Sequence, residues 1–398
     1  MKRISILMAF AALVVLASCQ KEEMVNVLET ENETLVTVDP LNGQIIDGQY
    51  IVVFDESKVK FSATKQASYD EKLKEVKSVA DVMLKSLNVN YELKESYGEV
   101  FKGFTVRLTS DDAAKLNKDS RIKFMEPDRV VMLAKPVKPT PTPTGEEIPW
   151  GIARVGYGNG VGKTAWIIDS GIDLDHPDLN VDVARSKDFT GSRKGADDEN
   201  GHGTHCAGTV AAIDNEIGVV GVAAGAKVVA VRVLDRRGSG AYSGVIAGVD
   251  YVASAAQAGD AANMSLGGPV SDALDAAVYA ASQKGIYFAL AAGNESDDAN
   301  NHSPARVNGA NIWTISAMDN ADKFAYFSNY SNPPVDFCEP GVNIYSTYKG
   351  GGYTTMSGTS MASPHMCGIL LMTNGNPRSD GNVLNDPDGK ADPIGVIF

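Results

Sequence analysis

An alternation of short apolar runs and alanine-rich segments, which begins near residue 148, most constrains how this chain can fold. Apolar runs of strand length that alternate with segments of helix length are typical of a parallel sheet covered by helices on both faces. The predicted strands are 164–169, 227–233, 260–265, 286–291 and 312–317. The predicted helices are 202–213, 241–258, 271–284 and 359–373. We therefore expect an α/β domain, residues 148–398, built on a doubly wound parallel sheet.

Three blocks rich in glycine and other small residues place one polar side chain each at the ends of these elements. An apolar strand ends in Asp169, His202 stands among glycines at a helix start, and Ser360 lies between small residues at another helix start. A serine at a helix start meets free backbone N–H groups and the positive end of the helix dipole, which together can stabilise an oxyanion. Because ligands favour the carboxyl ends of parallel strands, we expect the three side chains to meet at one site.

The chain order Asp, His, Ser and the sequences of all three blocks resemble the subtilisin-type serine proteases, and residues from about 148 to 372 follow that pattern. The resemblance implies that His202 removes the Ser360 proton, while Asp169 orients the imidazole and stabilises it when it is charged. It also implies that the amide of Asn294 and the Ser360 backbone N–H form the oxyanion hole. The implied activity is that of a serine endopeptidase that works through an acyl-enzyme and needs no catalytic cofactor.

A non-catalytic binding module on the same scaffold is the main alternative. Such a module would be expected to have lost one of four residues, and all four are present: Asp169, His202, Asn294 and Ser360. An esterase would call for Gly-x-Ser-x-Gly after a strand, whereas this serine stands in the sequence SGTSMA. The sequence therefore favours an endopeptidase.

The resemblance also implies a peptide-binding cleft with two edges, between which a substrate adds as an extended strand. Tyr242 is the implied aromatic wall of one subsite, Ala291–Gly293 line an open apolar pocket for the residue before the cut bond, and His302 lies near its rim. We therefore expect broad specificity with a preference for large apolar side chains. The implied substrate-binding residues are Gly238, Ser239, Gly240, Tyr242, Ser265, Leu266, Gly267, Ala292 and Gly293.

A structural calcium ion is a further implication, because residues 213–219 resemble the calcium loop of the family. Calcium binds several oxygens at once, including backbone carbonyls. The implied ligands are Asp178, Ile213, Asn215, Ile217 and Val219. No clear equivalent of the family's N-terminal glutamine ligand is evident, so a surface turn without a metal is the alternative.

The N-terminus predicts an exported lipoprotein, with residues 1–18 as its signal peptide. Three residues, two of them basic, precede an apolar run from Ile4 to Leu16, which is too short to remain as a transmembrane helix. The run ends in Leu-Ala-Ser-Cys, which resembles a bacterial lipobox and implies a lipid on Cys19; a common signal peptide with an incidental cysteine is the alternative. Residues 19–43 are polar and acidic, as in a flexible tether, and begin with a sequence that resembles a cell-surface export cue. The formal net charge of −14 argues against a nucleic-acid partner.

Residues 44–133 predict a small α+β domain. Strands are expected at 50–54, at 100–108 and within 122–132, the last of them broken by Pro127, and helices at 69–87 and 111–117. A β-α-β-β-α-β order of this size is typical of a ferredoxin-like unit. The domain resembles the inhibitor-type propeptide of the same family, which implies a proenzyme that inhibits itself; an unrelated α+β domain is the alternative.

Residues 134–147 are rich in proline and threonine, which is typical of a stiff, exposed linker and of a site of proteolytic cutting. A cut there would separate the catalytic domain from a lipid on Cys19. We therefore expect a precursor anchored to the bacterial outer membrane or cell surface, and a mature protease that is released.

The remaining cysteines and the C-terminus depart from a simple pattern. Cys206, Cys338 and Cys367 are an odd number, so they cannot all pair internally, and buried free thiols are expected. A Cys206–Cys367 disulfide is the alternative, provided that the Cα atoms lie within about 7 Å.

Residues 374–398 do not show the family's closing helices, so the sequence leaves the rear of the domain undetermined.

Overall fold

A computed structural model describes residues 36–64, 66–133 and 145–398, and residues 36–398 form one compact unit. The predicted signal peptide, Cys19, most of the tether and most of the linker lie outside the described residues. Within the described part of the chain, no helix has both the length and the apolar character needed to cross a membrane.

The first domain is an antiparallel sheet covered by two helices, which confirms the predicted α+β unit. Its strands are β1 (Ile45–Phe54), β2 (Glu92–Tyr97), β3 (Gly103–Arg107) and β4 (Ile122–Met132), in the spatial order β4-β1-β3-β2. Its helices are α1 (Tyr69–Ser86) and α2 (Ser110–Leu116). A capping box of Ser68 and Glu71 begins α1, and the buried side chains of both helices pack on one face of the sheet.

Two details of this domain differ from the prediction. The break at Pro127 is wrong, because β4 continues through this residue, which pairs with Tyr50. The pairing of β1 with β4 is irregular between Ile45 and Tyr50, so the proline, which has no N–H to donate, lies beside a bulge. The strand β2 was not predicted, because half of the residues in its sequence ELKESY are charged and only its final tyrosine is buried.

The second domain is built on a central sheet that is parallel except for one edge strand, and this confirms the predicted doubly wound fold. The strands of the domain are β5 (Thr164–Asp169), β6 (Lys227–Arg232), β7 (Ser239–Ala241), β8 (Ala261–Met264), β9 (Tyr287–Ala291), β10 (Ile312–Met318), β11 (Val335–Pro340), β12 (Ile344–Tyr348), β13 (Gly352–Met356), β14 (Arg378–Asn382) and β15 (Pro393–Val396). Its helices are α3 (Trp150–Val155), α4 (His202–Ala211), α5 (Tyr242–Ala255), α6 (Asp272–Ser282) and α7 (Thr359–Thr373). Two-residue strands complete it at 158–159, 180–181, 187–188, 223–224, 268–269 and 302–303. The central sheet has the spatial order β14-β15-β11-β10-β9-β8-β5-β6, with the strand 180–181 beside β6.

Alternate side chains of the central strands enter two separate cores, one on each face of the sheet. In β5, Ala165 and Ile167 pack with α4 and α7, whereas Trp166 and Ile168 pack with α5 and α6. Because both faces are covered, every residue of β5 is buried, which explains why its sequence is an unbroken apolar run up to Asp169.

The segment that follows α7 forms a β-hairpin. Strand β15 adds to the central sheet beside β11, with Ile394 next to Cys338, and β14 pairs antiparallel with β15. The last residues then return to α3, where the Ile397 N–H donates to the Val155 carbonyl. This hairpin settles the part of the domain that the sequence left undetermined.

The three cysteines of the described chain are buried free thiols, as predicted. The Cys206–Cys367 bridge that the sequence left open is not formed.

Candidate active site

Asp169 and His202 meet at the carboxyl edge of the central sheet. Asp169 is the last residue of β5 and is fully buried, and His202 is the first residue of α4. The His202 Nδ1 atom lies 2.9 Å from each Asp169 carboxylate oxygen. Burial acts to lower the pKa of His202, but the charge and hydrogen bond of Asp169, together with the nearby Cys206, outweigh burial and hold this pKa well above its ordinary value. The pair is therefore arranged to orient an imidazole and to stabilise its charged form.

The glycines that flank His202 are required by close packing. A Cβ on Gly201, whose φ is +112°, would lie 2.2 Å from the Tyr348 ring. A Cβ on Gly203 would lie 2.1 Å from the Gly171 carbonyl oxygen in the loop after β5. Any larger residue would push α4 away from this loop, and so would separate His202 from Asp169.

Asp198 fixes the turn before α4, and sequence reasoning missed it. Its buried carboxylate accepts hydrogen bonds from the Ser170 hydroxyl, from both the N–H and the hydroxyl of Thr204, and from the N–H groups of Asn200 and Gly201. Burial raises the pKa of Asp198, and these hydrogen bonds act against that rise. The carboxylate thus joins the residue after Asp169 to the first turn of the His202 helix. An acidic residue shortly before a helix start was the available signal.

Ser360 lies in the first turn of α7, on the same edge of the sheet. Its hydroxyl donates to the Ser265 carbonyl at 3.1 Å, and the Ser265 hydroxyl donates back to the Ser360 carbonyl at 2.7 Å. Within the described residues, no hydrogen bond joins Ser360 to His202. The structure therefore shows the acid–imidazole pair formed and the serine hydroxyl turned toward Ser265.

Two donors converge near Ser360. Asn294 follows β9, and its Oδ1 accepts from the N–H and the hydroxyl of Thr359, at 2.9 and 3.1 Å. This holds the side-chain amide against the start of α7. A Cβ built on Gly358 would lie 3.8 Å from Asn294 Nδ2 and 3.7 Å from the Ser360 nitrogen. The two nitrogens therefore lie close to the same point beside Gly358, and Thr359 is the residue that holds the Asn294 side chain there, which the sequence did not reveal.

The first domain occupies one of the two predicted peptide-binding edges. Strand β4 pairs antiparallel with β7, so that Val131 lies opposite Gly240, and the Leu133 N–H donates to the Gly238 carbonyl at 2.9 Å. At the other edge, the side chain of Asn42 donates to the Gly267 carbonyl at 3.0 Å. Both edges of the predicted cleft are thus contacted by the N-terminal part of the chain.

The two predicted subsites differ in their lining. The subsite of Tyr242 is apolar, whereas charged side chains border the pocket at Ala291–Gly293. Tyr242 is buried in the same apolar cluster as Val131 and donates its hydroxyl to the Pro269 carbonyl at 2.8 Å. A Cβ on Gly293 would lie 2.5 Å from a Glu295 carboxylate oxygen, so a carboxylate borders the pocket predicted at Ala291–Gly293. The Nδ1 atom of His302 lies 3.7 Å from a carboxylate oxygen of Glu295. Its Nε2 atom lies 3.2 Å from a carboxylate oxygen of Asp297.

Acidic side chains hold the two domains together. Glu126 and Asp128 of β4 accept N–H groups at the starts of α6 and α5, from Asp272 at 3.0 Å and from Ser243 at 3.1 Å. In the opposite direction, the buried carboxylate of Asp250 in α5 accepts the three successive N–H groups of residues 98–100. A negative charge at a helix start is stabilising, which explains the presence of Glu126 and Asp128 in β4.

The predicted calcium ligands are Asp178 and residues of the loop 213–219, which are distant in sequence but close in space. Asp178 accepts the Asn215 amide at 2.8 Å and the Val219 N–H at 3.0 Å. The structure adds Glu146, whose carboxylate accepts the Asn215 N–H, while Glu147 bridges to Val219. Within the described residues, neither Glu146 nor Asp178 forms an ion pair with a lysine or arginine. Two carboxylates without a basic partner and one amide thus lie together here, and carboxylate and amide oxygens are ligand types that Ca²⁺ prefers.

Comparisons with known proteins place both domains in families. Residues 162–383 match the model of the subtilase family, and residues 49–134 match that of peptidase inhibitor I9. Alkaline serine exoprotease A of Vibrio alginolyticus is 36% identical over 82% of this chain and 60% of its own length. Cerevisin of Saccharomyces cerevisiae is 40% identical over 68% of this chain and 45% of its own length. The chain thus spans less than two thirds of either relative.

Other similarities cover more of the matched protein. Subtilisin-like protease 6 of Arthroderma gypseum is 40% identical over 74% of this chain and 74% of its own length. A crystal structure of a cold adapted subtilisin-like serine proteinase superposes with a TM-score of 0.54 at 36% identity. That match covers 63% of this chain and 97% of the solved chain.

Proposed function

Because the chain belongs to the subtilase family, we propose that it is a serine endopeptidase made as a self-inhibited proenzyme. The observation that carries the proposal is the meeting, at one edge of the sheet, of the Asp169–His202 pair, the Ser360 hydroxyl and two converging N–H donors. A binding module would have no need for a buried carboxylate bonded to an imidazole beside a serine at a helix start.

In the proposed reaction, the Ser360 hydroxyl leaves the Ser265 carbonyl and turns to the free ring nitrogen of His202. His202 takes the hydroxyl proton as the oxygen attacks the peptide carbonyl, and Asp169 stabilises the imidazolium that results. The Ser360 N–H and Asn294 Nδ2 stabilise the oxyanion. His202 then gives the proton to the leaving amine, and water hydrolyses the acyl-enzyme by the same steps.

We propose that substrates bind between the edges 238–240 and 265–267, because β4 already pairs with the first of them as an extended strand. Main-chain pairing is common to all peptides, which supports broad specificity. The apolar cluster that contains Tyr242 and Val131 supports a preference for an apolar substrate side chain about four residues before the cut bond. The pocket at Ala291–Gly293 supports a preference for an apolar side chain at the residue directly before that bond. Glu295 at the border of that pocket adds acceptance of basic side chains.

The first domain acts in this proposal as the intramolecular inhibitor. It fills the substrate edge through β4 and is fixed to α5 and α6 by Glu126, Asp128 and Asp250. Export and attachment of a lipid to Cys19 are proposed from the N-terminal sequence. A cut within 134–147 would then leave the catalytic domain without a covalent anchor.

A structural calcium ion is proposed at the loop 213–219. Asp178, Asn215, the carbonyls of Ile213, Ile217 and Val219, and the added Glu146 would hold it. The ion would brace this loop and the segment before α3, at a distance from the chemistry, so it supplies stability and no catalytic step.

The direct test is hydrolysis of a chromogenic peptide by the purified chain and by its Ser360→Ala variant. We expect activity from the wild type after processing, and none above background from the variant. Equal turnover by both proteins would refute the proposed mechanism, and absence of activity in both would favour the binding module.

A further inference from the structure

Residues 36–44, which we call the strap, contact the edge of the predicted cleft. They lie outside the regions that match either family model, 49–134 and 162–383. The Val36 N–H donates to the Tyr326 hydroxyl at 3.2 Å, near the start of the strap. Near its other end, the carboxamide of Asn42 contacts both domains.

Asn42 stands between the inhibitor strand and the second substrate edge. Its Nδ2 donates to the Gly267 carbonyl at 3.0 Å, and its Oδ1 accepts the Met132 N–H at 3.0 Å. One partner is an acceptor and the other a donor, so only this orientation of the carboxamide satisfies both. The Asn42 side chain therefore mimics the N–H and C=O of a paired strand.

This arrangement makes β4 a ligand of one edge only. It pairs with residues 239–241, and within the described residues no main-chain hydrogen bond joins β4 to the edge 265–267. A substrate strand that adds between two edges would pair with both of them. At the second edge, the carboxamide of Asn42 takes the place that a substrate main chain would fill.

The strap is built to present Asn42 at this position. The Gly43 N–H donates to the Val130 carbonyl and the Val130 N–H to the Gln44 carbonyl, both at 2.8 Å, so the strap pairs with β4. Arg129 donates to the Gly43 carbonyl at 2.9 Å. Gly43 has a φ of +82°, and a Cβ on it would lie 2.3 Å from the Pro269 ring. Only glycine permits this turn against Pro269.

We propose that the strap is a second inhibitory element, which covers the edge 265–267 with the carboxamide of Asn42 and so delays release of the active site. This proposal rests on the proposed function, because inhibition presupposes a protease. The strap and β4 together block both edges, and loss of Asn42 removes the hydrogen bond to the second edge that the described residues make.

The contact is tested without catalysis by hydrogen exchange on the full chain carrying Ser360→Ala. We expect Asn42→Ala to speed exchange in the peptide that contains Met132 by on the order of tenfold, since a lost hydrogen bond there opens the N–H. Asn42→Asp keeps the acceptor for Met132 but turns a carboxylate oxygen to the Gly267 carbonyl, so exchange is expected to rise as well. Gln44→Ala, an exposed amide of the same strap, is the matched control. Unchanged exchange in both Asn42 variants would overturn the proposal.

The inhibitory consequence is tested in the chain with Ser360 intact. We expect Asn42→Ala to shorten the lag before peptide hydrolysis begins by on the order of tenfold, with the final kcat unchanged and with Gln44→Ala like the wild type. A wild-type lag in Asn42→Ala would overturn the inhibitory role even if exchange confirmed the contact. A wild type that never gains activity would instead refute the proposed function, and the exchange experiment would still decide whether Asn42 holds Met132.

Discussion

At the scale of single residues, the site depends on side chains that hold other groups in place. Thr359 turns the Asn294 amide, and Asp198 joins the loop after Asp169 to the helix start at His202. Because these orienting groups are buried or packed, the donors need little rearrangement as charge develops on the substrate oxygen. We therefore expect these residues to stabilise the transition state, in which the oxyanion develops, more than the bound substrate.

Asn294→Ala is therefore expected to lower kcat by about 10²- to 10³-fold, the range known for loss of such a donor in subtilisin, and to leave KM nearly unchanged. Steady-state kinetics on one chromogenic peptide measures both constants. Asn308→Ala, which removes an exposed amide, serves as the control. An Asn294 variant with normal kcat, or with the loss confined to KM, would contradict the assignment of the oxyanion hole.

At the scale of elements, the sequence predicted the central strands and their helices because a sheet buried on both faces demands continuous apolar runs. It did not predict β2, in which Glu92 and Lys94 are exposed, nor the C-terminal hairpin, whose pairing with β11 joins distant parts of the chain. The site residues that lie in glycine-rich blocks were predicted from local sequence. Asp198, Thr359 and Glu146 were missed because their roles exist only through tertiary contacts.

The loop that contains Asn215 is expected to depend on calcium. With Ser360→Ala present to prevent self-digestion, removal of calcium by a chelator should lower the melting temperature, since a ligand at a hundredfold excess over its Kd adds about 3 kcal/mol. Asp178→Asn should abolish the calcium response, and Asp175→Asn, an exposed acid of the preceding turn, should keep it. If calcium does not change the melting temperature of the Ser360→Ala protein with Asp178 intact, the proposed calcium site is refuted.

The C-terminal hairpin is expected to weaken as pH rises. Burial raises the pKa of Asp392 to about 6, and Asp386 and Asp388 add to the rise while hydrogen bonds from Ser316 and Asn332 oppose it. Because the folded chain holds this proton more tightly than the unfolded chain, the stability that it contributes is present below about pH 4 and is lost as pH rises to about 6. The total is about 3 kcal/mol for a shift of about two units.

Chemical denaturation of Ser360→Ala between pH 4 and 7 measures this loss. Adding Asp392→Asn should flatten that part of the profile, whereas adding Asp388→Asn should largely preserve it. Only the slope is compared, since an asparagine also changes the hydrogen bonds with Ser316 and Asn332. Parallel profiles with and without Asp392 would show that its proton is not linked to folding.

At the scale of the whole molecule, the two domains are held together at several separate places. Strand β4 and the strap lie at the cleft, and carboxylates cap α5 and α6. On the far side, the Lys187 ammonium lies 5.0 Å from the ring centre of Tyr69 in α1 and 4.7 Å from that of Tyr251 in α5. A single cut in the linker breaks none of these contacts. Separation of the catalytic domain from the N-terminal part of the chain therefore requires a cut and the subsequent loss of the inhibitor domain.

If the linker is cut and the inhibitor domain is then lost, the catalytic domain should be released from the membrane. In cells that make the chain with a C-terminal tag, wild type should yield a shorter, soluble tagged form, and Ser360→Ala should stay in the membrane fraction at full length. Cys19→Ser combined with Ser360→Ala is the matched control, since it should give a full-length chain that is no longer retained. If wild type and Ser360→Ala fractionate alike at full length, the chain does not release itself. If Cys19→Ser leaves retention unchanged, the anchor is not a lipid on that cysteine.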